Sequence, residues 1–205
     1  MLKLKFGWIS LLVLGFLSFS VWYGGNGTPI TAEEGARLLD RYEQSYGSPA
    51  EQNYDFGSNV ADLISRDDGK EFYAINLETL KTGPDAERAD RAYSETVIPL
   101  LFKHGGHPIL VSERTGLMLG AYGNEIDRVA IVRYRSLRDL MNMVLEERMV
   151  EGQKDKFIAL EHTEVFVTRP LVTFVQVRLI VAMLLIILGL AGLKLITIFS
   201  SRRGA

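Results

Sequence analysis

The sequence predicts an α+β domain between two membrane-spanning helices. Three observations support this fold class: a long apolar run near each end of the chain, strand-like segments that alternate with helical patterns between them, and an acidic middle with basic ends. The 205 residues provide room for one ordinary domain plus appendages, since domains usually contain about 100 to 200 residues. With 47% hydrophobic and 23% charged residues, the composition argues against wholesale disorder and against a polytopic transporter.

The first apolar run, residues 7–23, contains no charge and follows a short basic start. This pattern is typical both of a cleaved signal peptide and of an uncleaved signal anchor. Small residues near the end of the run offer a cleavage site, whereas Trp22 and Tyr23 are typical of a retained helix at a membrane interface. The sequence therefore predicts a signal anchor or signal peptide over residues 1–25 and leaves both alternatives open.

The second apolar run, residues 179–200, contains one charge, Lys194. About 20 helical residues at 1.5 Å each cover a hydrocarbon core of ~30 Å. Lys194 lies near the end of the run, where its stem can reach the lipid headgroups. Because proline is common in the first turn of helices, Pro170 predicts the start of this helix. The predicted C-terminal transmembrane helix covers residues 170–200, and residues 201–205 form a cytoplasmic tail.

Acidic and basic residues are segregated along the chain. Residues 24–170 contain 17 basic residues against all 25 acidic ones, a net charge of −8, and the other six basic residues lie nearer the ends. Basic flanks of membrane helices remain in the cytoplasm. We therefore expect cytoplasmic termini and a soluble domain facing the periplasm, with the protein in a bacterial inner membrane. An acidic middle also argues against nucleic acid as a partner.

A helix and a linker are predicted over residues 26–57. The capping box from Thr31 to Glu34 precedes an apolar stripe, which predicts a helix over residues 32–45. Residues 47–57 are loop-like, and a short helix is expected near residues 60–64.

The main domain is predicted over residues 58–169. The strands are expected at residues 71–77, 107–111, 128–134 and 164–168, and the main helices begin at Pro84 and after the capping residue Ser136, with a further helical stretch near residues 153–160. This order, β-α-β-β-α-β, is typical of a four-stranded sheet with its helices on one face.

Four segments of this domain resemble a known family. They are residues 72–81 (FYAINLETLK), 97–106 (VIPLLFKHGG), 129–137 (VAIVRYRSL) and 159–165 (ALEHTEV). Together they resemble an uncharacterised bacterial branch of the dimeric α/β-barrel superfamily. The resemblance covers about half of the chain and implies a ferredoxin-like protomer that pairs sheet to sheet with a second copy. Relatives in the wider superfamily include cofactorless monooxygenases, haem-degrading enzymes and lactone isomerases, and the membrane segments distinguish this sequence from the soluble members.

Three residues are predicted to contact a ligand. Asn76 is a polar side chain in an apolar strand, and the resemblance implies that it points into the ligand pocket; a structural hydrogen bond is the alternative. Arg128 begins the third strand, where it would bind an anionic ligand or remain solvated. His162 precedes the last predicted strand and would lie near the mouth of the barrel.

No catalytic residue, metal site or cofactor is predicted. The chain contains no cysteine, and its histidines, serines and glycines do not form a catalytic triad, a metal-binding motif or a phosphate-binding loop. The leading hypothesis is a membrane-anchored protein whose extracytoplasmic domain binds a small ligand or a membrane partner. The alternatives are a cofactorless monooxygenase or isomerase acting on an apolar molecule, and a structural or accessory subunit of a membrane complex.

A homodimer is predicted from the sheet itself. Two helices can cover only one face of a four-stranded sheet, yet the predicted strands are apolar on both faces. Either a second protomer or the helix at residues 32–45 must cover the other face. The resemblance favours the second protomer, and anchoring in one membrane raises the effective concentration of the two copies.

Overall fold

The computed structural model of the protein describes residues 2–47 and 56–202. The elements are α1 (Leu2–Gly24), α2 (Ala32–Tyr46), α3 (Phe56–Ser65), β1 (Phe72–Leu80), α4 (Pro84–Lys103), β2 (His107–Glu113), β3 (Arg128–Tyr134), α5 (Leu137–Val144), α6 (Glu147–Ala159), β4 (Leu160–Thr168) and α7 (Val177–Arg202). A short 3₁₀ helix, Tyr122–Glu125, lies between β2 and β3. Two compact units result: α1 and α7 form one, and Gly25–Leu171 form the other.

The first unit consists of two helices that are long and apolar enough to cross a membrane. Trp8 of α1 packs on the glycines of α7: its indole N–H donates to the carbonyl of Gly189 at 3.4 Å, and any side chain at Gly192 would collide with the ring. The absence of side chains at these two glycines therefore lets the helices approach closely, as small residues do between membrane helices.

The C-terminal helix begins at Val177, so the predicted start at Pro170 is wrong. The hydroxyl of Thr173 accepts the backbone N–H of Val175 at 3.1 Å, and the side chain of Gln176 donates to the carbonyl of Thr173. Such local bonds compete with helical hydrogen bonds. Proline permits a helix start, but residues 169–176 lie outside any helix, and these local bonds are formed in the last four of them.

The second unit is built on a four-stranded antiparallel sheet in the order β2-β3-β1-β4, which confirms the predicted mixed α and β class. In the central pair, Phe72 lies opposite Tyr134 and Glu78 lies opposite Arg128. Because side chains alternate along a strand, this register fixes which residues share each face.

We call one side of the sheet the covered face. Its side chains in the central strands are Phe72, Ala74, Asn76 and Glu78 of β1 and Arg128, Ala130, Val132 and Tyr134 of β3. Helices α4, α5 and α6 pack on this side, since Phe72 is buried in one core with Leu101, Met141 and Met149. Phe72 and Tyr134 also stack, with ring centroids 5.4 Å apart.

Helix α2 belongs to the helical layer and does not cover the opposite face of the sheet. Its buried residues Leu38 and Tyr42 join the same core as Met141. In addition, the hydroxyl of Tyr46 donates to the carbonyl of Val144 at 2.5 Å. The alternative in which the helix at residues 32–45 covers the second sheet face is therefore wrong.

The predicted helix starts are confirmed where a capping residue precedes the helix. The hydroxyl of Thr31 accepts the N–H of Glu34 at 3.2 Å, and the hydroxyl of Ser136 accepts the N–H of Asp139 at 3.1 Å. Of the predicted loop at residues 47–57, the last two residues belong to α3, and residues 48–55 lie outside the described residues.

Helix α6 is longer than predicted, since it begins at Glu147, and β4 begins at Leu160. Gly152 weakens the helical pattern in the sequence, but a Cβ at this position would lie 2.8 Å from the side chain of Thr96. The glycine therefore permits close packing of α6 on α4, and this tertiary contact outweighs its low helix propensity.

Candidate functional site

The side of the sheet opposite the helices, which we call the open face, is apolar at its centre. Its apolar part consists of Ile75, Leu77, Leu110, Val129, Ile131 and Phe166. The register also places Ser112 beside Val129 on this side, and Tyr73 and the buried Arg133 at the end where β1 begins. Leu110 and Phe166, on the two edge strands, are 47% and 45% exposed, and the other four side chains are partly buried. Within the described part of the chain, none of the six joins a buried apolar cluster. A contiguous apolar surface of this kind usually marks a binding surface.

Three polar side chains lie at one end of the open face. His162 and Glu164 lie on β4 opposite Thr79 and Leu77, so both point to this side of the sheet. The hydroxyl of Tyr122, from the connection between β2 and β3, donates to Oε2 of Glu164 at 2.6 Å. Since β2 and β4 are opposite edges of the sheet, this connection reaches across the ends of the strands between them.

Three hydrogen bonds hold the β2–β3 connection in this position. The hydroxyl of Thr79 donates to the carbonyl of Glu125, and the N–H of Asp127 donates to the carbonyl of Glu78 at 2.9 Å. The carboxylate of Asp127 accepts the N–H of Leu80, also at 2.9 Å. The connection is thus attached to the end of β1, which places Tyr122 beside the open face.

The chemistry of this polar end is hydrogen bonding. The bond to Glu164 raises the pKa of Tyr122 above its usual value, so the phenol is a neutral group at neutral pH. His162 and Glu164 are exposed and two residues apart on one strand. An imidazole, a carboxylate and a phenol can bind the polar end of a ligand whose apolar body lies on the open face.

Asn76 lies on the covered face and points toward the helices. Its side-chain amide donates to the carbonyl of Ala130 at 3.0 Å, and Ala130 is its paired residue on β3. The observed contact is therefore the structural hydrogen bond that the sequence left as an alternative.

Arg128 forms an ion triad on the covered face. Its Nε donates to Glu78 at 2.6 Å, and its two terminal nitrogens donate to both oxygens of Asp90 on α4, at 2.8 and 2.7 Å. The hydrogen bonds to Asp90 and to Glu78 raise the pKa of Arg128. The arginine thus links the sheet to α4, and it neutralises Glu78, which is only 5% exposed.

A phenol and an amine, Tyr93 and Lys156, lie near the triad, and a second buried phenol, Tyr134, lies at the other end of β3. None of the three is predicted from the sequence as a site residue. Burial raises the pKa of Tyr93 and of Tyr134, so both phenols remain protonated. Desolvation lowers the pKa of Lys156, whose ammonium lies 5.9 Å from the centroid of the Tyr93 ring. In the sequence, Tyr93 lies within the helix predicted to begin at Pro84, and no local pattern marks Lys156.

The structure therefore separates the three predicted ligand-binding residues. Asn76 and Arg128 share the covered face, where both have partners within the domain. His162 lies on the open face with Glu164 and Tyr122. The open face with this polar end is the candidate site.

Comparisons with known proteins bear on the fold alone. No protein-family model matches the sequence, and no curated protein matches it. Among solved structures, a protein of unknown function from Rhodopseudomonas palustris is similar to this chain. The match covers 58% of this chain and 97% of that one, with 21% identity and a TM-score of 0.53. The match to a methylated form of the same protein covers 60% of this chain and 97% of that one, with 20% identity and a TM-score of 0.53. The match to a NIPSNAP family protein of unknown function from Agrobacterium tumefaciens covers 49% of this chain and 88% of that one, with 20% identity and a TM-score of 0.36.

Proposed function

We propose that this chain is a membrane-anchored protein whose ferredoxin-like domain pairs through its open face with a second copy and binds a small, largely apolar ligand there. The observation that carries the proposal is the open face itself. Six apolar side chains are left outside the core while α2 lies in the helical layer. The strand order β2-β3-β1-β4 and the β-α-β-β-α-β connection support the ferredoxin-like class.

The pairing follows from the cost of exposing this surface to water. Burial of apolar area contributes about 25 cal/mol per Å², and stacked sheets lie about 10 Å apart, which lets side chains from both copies interdigitate. Anchoring in one membrane keeps the two copies at high effective concentration. The ligand lies with its apolar part between the sheets and its polar part at His162, Glu164 and Tyr122, whereas Asn76 and Arg128 act within the protomer.

The membrane arrangement rests on the charge distribution. Two apolar helices flank a domain with a net charge of −8, and the basic residues outside it lie nearer the chain ends. We therefore assign the termini to the cytoplasm and the domain to the periplasm of a bacterium. A reporter that is active only in the periplasm should be active when fused after Thr168 and silent when fused after Ala205. The opposite pattern would refute this orientation.

Engineered cysteines test the pairing, since the chain contains no cysteine of its own. The full-length variant Ile131→Cys, treated in membranes with a bis-maleimide that spans about 10 Å, should form a crosslinked dimer because stacked sheets are about that far apart. The matched control is Asn142→Cys, on an exposed position of α5. Equal crosslinking of both variants, or none at Ile131→Cys, would contradict pairing through the open face.

A further inference from the structure

A cavity of about 420 Å³ lies at the opposite end of the domain from the β2–β3 connection, and its lining has two parts. The floor is apolar and consists of Leu63, Phe72, Leu137 and Val167. The rim carries three cationic side chains, Arg66, Lys70 and Arg169. We call it the turn cavity, because its rim includes the turn at residues 67–69. Its volume lies in the range of small-ligand sites, about 300 to 1,000 Å³.

The cations of the rim are accessible to a ligand. Arg66 and Lys70 keep 68% and 75% of their side-chain surface exposed, although each contacts an aspartate, Asp62 and Asp68 respectively. Exposed pairs of this kind contribute little to stability, so an anionic ligand can replace the aspartate at small cost.

The carboxylate of Asp67 also lies on the rim, but its oxygens are engaged with the backbone. One oxygen accepts the N–H of Ile30 at 2.7 Å, and the other accepts the N–H of Gly69 at 3.1 Å. The aspartate therefore orders the turn, and its charge is partly compensated by these two donors.

Both connections to the apolar helices are attached to this turn. The Asp67 contact holds the segment that follows α1, and the guanidinium of Arg169 pairs with both oxygens of Asp68 at 2.7 Å, which holds the segment that precedes α7. Seven residues lie between Arg169 and Val177, and the eight extended steps from one to the other cover at most roughly 29 Å. If α7 spans a membrane, the cavity is tethered within that distance of the lipid headgroups.

We propose that the turn cavity binds an anionic phospholipid, with the phosphate at Arg66 and Lys70 and the first part of an acyl chain on the apolar floor. The proposal rests on the membrane anchoring in the proposed function and is independent of the pairing of the open faces. The ligand must be amphiphilic because the lining combines cations with an apolar floor. It comes from the membrane because the cavity is tethered to the membrane helices.

The test uses the full-length protein in a neutral detergent and native mass spectrometry with added lipid. Phosphatidylglycerol should bind about tenfold more tightly than phosphatidylcholine with the same acyl chains, since only the former carries a net charge for the cations. The variant R66Q/K70Q should lose about tenfold in affinity for phosphatidylglycerol and little for phosphatidylcholine. The matched control R41Q/K154Q removes the same charge at exposed positions elsewhere and should bind as the unchanged protein does.

Three results would overturn this proposal. The first is equal binding of the two lipids, and the second is an equal loss in R66Q/K70Q and in the control. The third is displacement of the lipid by glycerol phosphate at the affinity of the lipid itself, which would indicate a site for a soluble phosphate compound. An alkaline wash of membranes separates these failures from failure of the proposed function. If the wash releases the chain, the membrane anchoring is wrong; if the chain stays while lipid selectivity is absent, only the cavity assignment is wrong.

Discussion

The two faces of the sheet differ in a way that reverses a common expectation about polar residues. The covered face, which packs against helices, carries an ion triad, an asparagine and a tyrosine. The open face carries six apolar side chains at its centre and has polar side chains chiefly at its two ends. The polar groups of the covered face therefore connect the strands to each other and to α4, because they find partners there. The apolar side chains of the open face join no buried cluster in the part of the chain that the structure describes.

The effect of introducing a carboxylate should differ most between the two faces, and two neighbouring residues of β3 allow the comparison. Val132 packs against the core, whereas Ile131 points to the open face. Val132→Asp buries an unpaired carboxylate and should cost about 4 kcal/mol or more, so the domain should unfold. Ile131→Asp should leave the protomer folded and dissociate the proposed dimer.

Circular dichroism and sedimentation of the full-length variants in detergent distinguish these two outcomes. Unfolding of both variants, or a dimer that persists in Ile131→Asp, would show that the two faces do not differ in this way.

A smaller loss of stability is expected when the arginine of the triad on the covered face is removed. Arg128→Ala leaves Glu78 and Asp90 without their shared cation and should lower the free energy of unfolding by about 2 kcal/mol, less than the 3 to 5 of a fully buried pair because Arg128 and Asp90 keep partial exposure. Arg148→Ala, at an exposed position of α6, is the control and should change stability by about 0.5 kcal/mol or less. Urea denaturation measures both. Equal effects would mean that the triad does not connect the sheet to α4.

The smallest effect should be seen in an alkaline titration of the tyrosines. Tyr93 and Tyr134 have raised pKa values through burial, so the folded protein holds their protons more tightly than the unfolded chain does. Their contribution to stability is fully present below pH ~10 and is lost as the pH rises above it. Tyr122, beside the open face, should ionise in the folded protein, and Glu164→Gln should lower its pKa.

Phenolate absorbance and circular dichroism, followed together, report ionisation and unfolding. If Tyr93 and Tyr134 ionised before the domain unfolds, the covered face would be open to water, contrary to the proposed difference between the faces.

The parts of the fold that were predictable have local causes. Thr31 and Ser136 cap helices through bonds to residues three positions later, so the sequence reveals them directly. The start of α6 was missed because Gly152 serves a contact with Thr96, which lies far away in the chain. The start of α7 was missed because the hydroxyl of Thr173 forms a turn where proline alone suggested a helix.

The site was less predictable because its contacts are not local. Alternation placed Asn76 on the face of Phe72, but only the packing of the helices shows that this face is covered. The partners of Arg128 lie 38 and 50 residues away. The Tyr122–Glu164 bond joins residues 42 positions apart through a connection whose path has no local signature.

The position of β1 between β3 and β4 has a consequence for synthesis. Thr168, at the end of β4, bonds to Tyr73 across 95 positions of sequence. One side of the central strand β1 therefore has no partner until almost the whole domain has been made, and contacts of such long range are slow to form. During that interval the unpaired N–H and C=O groups of β1 can associate with another chain. Nascent chains that stop before Leu160 should accordingly aggregate or require a chaperone, although they already contain three of the four strands.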